Sequence, residues 1–68
     1  MFEEIIRKRL TECRVKAGYS QQKLANLTGL DDSLIAKIEV GLRKPDVNTI
    51  GLLAEFYDVS INWLFGLK

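Results

Sequence analysis

The chain has 68 residues, ten of them Lys or Arg and nine Asp or Glu for a formal charge of +1; 47% are hydrophobic, one is cysteine and none is histidine. A chain this short is expected to make one domain over residues 1–68, and it buries only about 60% of the surface its unfolded form exposes, which leaves no room for a large enzyme pocket. Cys13 has no partner for an internal disulfide, and without histidine there is no soft-ligand set for zinc, so packing alone must hold the fold and no metal or other cofactor is expected. No apolar run approaches the roughly 18 residues that cross a bilayer, and Met1-Phe2-Glu3-Glu4 lacks the basic-then-apolar order of a signal peptide. The expectation is a reduced, cytoplasmic protein with no membrane partner. Its pI of 7.9 falls short of the strongly basic balance that announces nucleic-acid binding by itself.

One proline, five glycines and no sustained strand-like alternation predict an all-α fold. From Phe2 to Ala17, apolar residues fall at Phe2, Ile6, Leu10, Cys13 and Ala17, steps of three or four that place them on one helical face. Gly18 ends this first helix. Ser20 is an N-cap for a second, Gln21 to Thr28, whose inner surface is expected to be Leu24, Ala25 and Leu27. After Gly29, Asp31 can cap a third helix running to about Val40 with Leu34, Ile35 and Ile38 inside. A polar loop, Leu42-Arg43-Lys44-Pro45, precedes Asp46, the cap of a fourth helix that carries Ile50, Leu53, Ala54 and Tyr57 inward. Ser60 caps a short fifth helix, Ile61 to Phe65.

Helices two and three, joined by a tight glycine-containing turn, match the signature of a helix-turn-helix. Each residue type has a steric reason. Ala25 is small where two helices approach, Gly29 sits where a positive φ is needed, Leu30 plugs the turn, and Ile35 and Ile38 seat the second helix.

The stretch Ser20-Gln21-Gln22-Lys23-Leu24-Ala25, Gly29-Leu30, Ile35-Ala36-Lys37-Ile38-Glu39, Gly41 and Arg43-Lys44-Pro45 closely resembles the phage repressor and Cro-like helix-turn-helix family. The likeness covers almost the whole chain, including Arg14 on the first helix and the closing Val59-Ser60-Ile61-Asn62-Trp63-Leu64. It implies a compact five-helix domain of the lambda repressor-like class, which binds double-stranded operator DNA, usually as a homodimer, with the third helix in the major groove. A step of 100° per residue puts Asp32, Ser33, Ala36, Lys37 and Val40 on the side of that helix opposite Leu34, Ile35 and Ile38, and these five are the candidate base readers. Lys37 can donate to guanine O6 or N7, Ser33 can donate or accept, and Ala36 and Val40 can contact thymine methyls. Asp32 can accept from cytosine N4 but repels nearby phosphates; alternatively, Asp31 and Asp32 only favour the helix N-terminus through capping and the macrodipole.

Gln21 begins the second helix, where the family characteristically bonds a backbone phosphate, and Arg43 and Lys44 follow the recognition helix where they can grip the neighbouring backbone. Lys23, and less strongly Lys16, complete the candidate phosphate contacts. The family resemblance assigns Arg14 and Glu39 to an ion pair tying the first helix to the third. Positions 7–44 hold nine basic residues against four acidic ones, whereas 46–58 hold Asp46, Glu55 and Asp58 and no base. The near-neutral total thus hides a basic front, which carries the motif, and an acidic back. At the C-terminus, Trp63 and Leu64 are expected to close the core, while Phe65 and Leu67, with Trp63 as a third candidate, can form a two-fold interface.

The favoured function is a sequence-specific DNA-binding transcriptional regulator, most simply a repressor. The alternative is an interaction module that keeps the fold but has lost specific DNA reading, motivated by a third helix more acidic and less polar than the family's usual reader. An enzyme is disfavoured: without histidine, Ser and Cys lack the usual general base, and the adjacent Asp31 and Asp32 diverge on a helix.

Overall fold

Local sequence starts four of the five helices in the computed structural model, which describes residues 2–67; Met1 and Lys68, the ends of the expected domain, lie outside the described residues. The elements are α1 (Phe2–Ala17), α2 (Gln21–Thr28), α3 (Asp32–Glu39), α4 (Val47–Tyr57) and α5 (Ile61–Leu64), and no strand occurs among the described residues. Ser20 Oγ accepts the Lys23 N–H at 3.0 Å, Asp31 Oδ1 that of Ser33 at 3.0 Å, Asp46 Oδ1 that of Thr49 at 2.7 Å and Ser60 Oγ that of Trp63 at 2.9 Å. Each bond satisfies an amide that the helix itself leaves without a partner. α3 ends one residue before the expected Val40, and α5 one before Phe65; both residues keep right-handed backbone as C-caps.

Two of these caps make stability pH-dependent. The backbone N–H, followed by other hydrogen bonds from the first turn, holds the Asp31 and Asp46 carboxyls below their ordinary value of 3.8. A lowered folded-state pKa stabilises the fold above that value, and the contribution is lost as pH falls through the folded-state pKa. Urea midpoints are therefore expected to drop between pH 5 and pH 3, and an Asp31→Asn, Asp46→Asn double variant, whose caps do not titrate, should lose less over that window.

The core comprises Ile6 and Leu10 of α1, Leu24 and Ala25 of α2, Ile35 and Ile38 of α3, Ile50, Leu53 and Ala54 of α4, and Leu64 of α5. Leu30, Leu34, Tyr57, Val59, Trp63 and Phe65 pack against its edge. α2 lies on α3, α1 contacts both α3 and α5, and α4 contacts α2 and α5. Three expected inner residues are placed differently. Leu27 is 47% exposed and Phe2 49% exposed, and Ala17 is also exposed. The reason is geometric: α2 is two turns long, its inner stripe is filled by Leu24 and Ala25, and both ends of the long α1 overhang the core. Phe2 instead lays its ring against Phe65, with centroids 5.7 Å apart.

Tyr57 brings a hydroxyl into this apolar edge, and that oxygen is buried without a hydrogen-bond partner. Burial, reinforced by Cys13 and the Glu39 carboxylate, pushes the phenol up to about 12. Tyr57→Phe removes the unpaired group while keeping the ring, so it is expected to stabilise the domain by about 1 kcal/mol, measured by urea unfolding.

Candidate nucleic-acid interface

The turn between α2 and α3 fixes the geometry of the site. Gly29 has φ of +79° and donates its N–H to the Ala25 carbonyl at 2.8 Å, ending α2 and reversing the chain within three residues of Asp32. Only glycine adopts that left-handed conformation without penalty. Ala25 is buried beneath the crossing, and Leu30 fills the angle between the helices.

With Ile35 and Ile38 buried and Leu34 packed at the core edge, α3 turns Asp32, Ser33, Lys37 and Val40 outward, all exposed, with Ala36 half-buried between them. The five candidate base readers therefore share one side of one helix. Their chemistry is altered by local bonds. Asp31 Oδ1 accepts from the Ser33 hydroxyl at 3.2 Å as well as from its amide, so Asp31 is engaged as a cap and Ser33 presents its lone pairs rather than its proton. Asp32 remains exposed beside it.

The loop after α3 folds back onto the same helix. The Leu42 and Arg43 amides both donate to the Lys37 carbonyl, at 2.8 and 3.2 Å, which holds Arg43 beside the Lys37 turn. Gly41 permits this with φ of +85°, and a Cβ there would lie 3.3 Å from Arg7 Nε. Arg7 in turn donates to the Glu39 carbonyl at 3.3 Å and so covers the C-terminal end of α3, where a cation is favoured by the helix dipole. Lys44 is exposed and paired with Glu3 at 3.3 Å, so the loop carries one exposed arginine and one lysine already leaning on an acid of α1. Lys23 and Lys16 are exposed on α2 and α1.

Arg14 and Glu39 meet through two bonds, Nε to Oε2 at 2.7 Å and Nη2 to Oε1 at 2.9 Å, and Arg14 Nη1 donates to the Tyr19 carbonyl at 2.7 Å. The Glu39 hydrogen bond raises the Arg14 pKa above its ordinary value. A third donor reaches the same carboxylate: Gln21 Nε2 lies 3.0 Å from Glu39 Oε1. The end of α1, the loop that follows it, the first residue of α2 and the last of α3 are thus joined at one carboxylate.

The C-terminal candidates separate. Trp63 is half-buried, its ring 4.7 Å from the Arg9 guanidinium carbon, and Arg9 Nη1 also donates to the Trp63 carbonyl. Phe65 is half-buried against Phe2, whereas Leu67 is 52% exposed. Arg7 and Arg9 were not distinguishable as contributors from spacing, because each acts through a partner distant in the chain; only the excess of arginine on α1 signalled them.

Two short helices about a left-handed glycine, the second presenting one polar face, define a helix-turn-helix domain. The sequence profile of the helix-turn-helix family matches residues 10–64, and the chain belongs to this family, in its Cro/C1-type branch. It is 38% identical over 56 residues to the SPbeta prophage-derived HTH-type transcriptional regulator YonR of Bacillus subtilis, covering 82% of this chain and 52% of that protein. It is 37% identical over 59 residues to the HTH-type transcriptional regulator ImmR of the same organism (87% and 46%), and 38% over 58 residues to AnsR, another such regulator (85% and 50%). The chain spans about half the length of these curated relatives. Among the described residues no helix is long and apolar enough to cross a membrane, and no group of His, Cys, Asp and Glu could hold a metal ion.

Proposed function

We propose that this domain binds double-stranded operator DNA as a homodimer and acts as a transcriptional repressor, with α3 in the major groove. The observation that carries the reading is the two-sidedness of α3: Ile35 and Ile38 seat it, while Asp32, Ser33, Lys37 and Val40 stand exposed on the other side. The names of its relatives as HTH-type transcriptional regulators support it. Lys37 donates to guanine, Ser33 accepts from a base amine, and Ala36 and Val40 meet thymine methyls, while Asp32 accepts from cytosine. Gln21, Lys23, Arg43 and Lys44 position the domain on phosphates. Leu67, with Phe65 at its edge, supplies the two-fold contact, which sets two recognition helices about one DNA turn apart; Trp63, held by Arg9, serves the protomer's own fold.

The test is fluorescence anisotropy against duplexes selected from a random pool, with competitor DNA and a salt series. Lys37→Ala is expected to weaken the selected site by about 1–3 kcal/mol and relax preference at one base pair, with a smaller loss on random DNA. Binding to selected DNA that never exceeds the random-sequence level would sink the reading. A second reading, docking of a protein partner on α3, is favoured by the exposure of Val40 (65%) and Leu42 (80%) at the C-terminal end of this helix, with Asp32 exposed at its start. Asp32→Asn separates the two: it removes a charge that phosphates repel, so it strengthens DNA binding and weakens capture of a basic partner.

A further inference from the structure

We infer that Glu39 is a positioning residue for DNA binding, which acts by holding the Gln21 side-chain amide with its donor edge available to a phosphate. The inference rests on the DNA-binding reading above and adds a residue that itself touches no DNA.

A primary amide has one donor edge and one acceptor edge of almost the same shape, and a free Gln side chain can present either by turning over. A phosphate is an acceptor and takes only the donor edge. An ionised carboxylate is likewise acceptor-only, so the atom facing Glu39 Oε1 at 3.0 Å must be Gln21 Nε2. One amide hydrogen is then engaged with Glu39 and the second is left to donate. Without this partner the amide is free to offer its carbonyl oxygen, which a phosphate repels.

The carboxylate is itself immobilised. Arg14 grips it through Nε and Nη2, and Arg14 is anchored by its third nitrogen to the Tyr19 carbonyl, one residue before the Ser20 cap of α2. The side chains of Arg14 and Glu39 are 15% and 9% exposed, so water competes little for these bonds. Arg14 also neutralises Glu39, which allows an acid to sit behind a phosphate contact without repelling the DNA. Gln22, the next residue, is exposed and has no such tie.

The sign of one substitution distinguishes this role from simple electrostatics. Glu39→Gln removes a negative charge and releases Arg14, so charge alone predicts tighter DNA binding. The positioning role predicts weaker binding, by about tenfold, corresponding to about 1.4 kcal/mol. A double-mutant cycle with Gln21→Ala adds a second criterion. Each single variant should lose about tenfold, and the double variant should be no weaker than Gln21→Ala, because Glu39 acts through Gln21. All four proteins are measured at a temperature where circular dichroism shows them folded, so that a purely structural loss is excluded. Tighter binding by Glu39→Gln, or additive losses in the cycle, overturns the inference while leaving DNA binding intact. Failure of the wild-type protein to bind any duplex overturns the parent reading instead.

Should Glu39→Gln not fold, the wild-type protein supplies the reading through 15N relaxation of its side-chain amides. The Gln21 amide is expected to have an order parameter well above that of Gln22 before DNA is added. Equal and low values for the two, with Gln21 rising only on binding, would overturn the inference.

Discussion

Leu64→Ala is expected to leave the domain largely unfolded at 25 °C. Leu64 has no exposed surface, the deepest burial of any described residue, although it sits in a helix of four residues near the end of the sequence. One helical turn has no stability of its own, so α5 exists because this side chain enters the core, with α1 on one side and α4 on the other. Truncating a buried Leu to Ala costs about 3–5 kcal/mol through lost transfer energy and the cavity left behind. A domain of this length has a total stability of roughly 3–10 kcal/mol, so the substitution removes a large share of it. Loss of helical circular dichroism and a urea midpoint near zero are the expected readings. Leu64→Met, which roughly conserves volume, should cost under about 1.5 kcal/mol and remain folded. A folded Leu64→Ala protein with near wild-type stability would show that the α5 end contributes little to the core.

The second large effect is expected at Arg14. Replacing it with Met strips the Glu39 carboxylate of two of its three donors in a place where its side chain is 9% exposed. An acid left in that state is not solvated by water and not neutralised by protein, and losses of about 3–5 kcal/mol follow from removing one partner of such a pair. The double variant Arg14→Met, Glu39→Met removes the orphaned charge together with its partner and is expected to recover most of that loss, because the desolvation of both ions disappears as well. Urea unfolding of the wild type, the single and the double variant decides the matter; a double variant less stable than the single would mean that the pair is favourable in its own right. If Glu39 also orders Gln21, the double variant is stable but binds DNA weakly, which separates the contribution to folding from the contribution to function.

These two sites act on different contacts of the same helix arrangement. Leu64 determines whether α1, α4 and α5 close a core, and the Arg14–Glu39 contact determines how α1 and α3 are set against the first turn of α2. The exposed side of α3 depends on both, since a recognition surface is useful only if the helix that carries it does not rotate or slide.

The extent to which sequence foretold this depended on the range of each interaction. The caps at Ser20, Asp31, Asp46 and Ser60 accept amides two or three residues away, so residue type and spacing were sufficient to place four helix starts. The same holds for the division of α3 into Ile35 and Ile38 on one side and Asp32, Ser33, Lys37 and Val40 on the other, which follows from a period of 3.6 residues. Gly29 was legible because its left-handed backbone is a local demand. Leu27 was not, because a leucine on a two-turn helix is buried only if another element arrives to cover it, and none does so fully. Phe2 reads as part of the apolar face of α1, yet it overhangs the core and finds Phe65, 63 positions away.

Sequence by itself therefore determined the all-α class, the helix starts, the helix-turn-helix and the composition of its exposed face, since each of these is set within a few residues along the chain. Tertiary structure alone decided which polar groups meet: that Gln21 shares Glu39 with Arg14, that Arg9 covers Trp63, that Arg7 reaches the end of α3, and that the Tyr57 hydroxyl meets no partner. Those outcomes depend on the crossing of helices distant in sequence, where a displacement of about 1 Å makes or breaks a hydrogen bond, and periodicity carries no information at that scale.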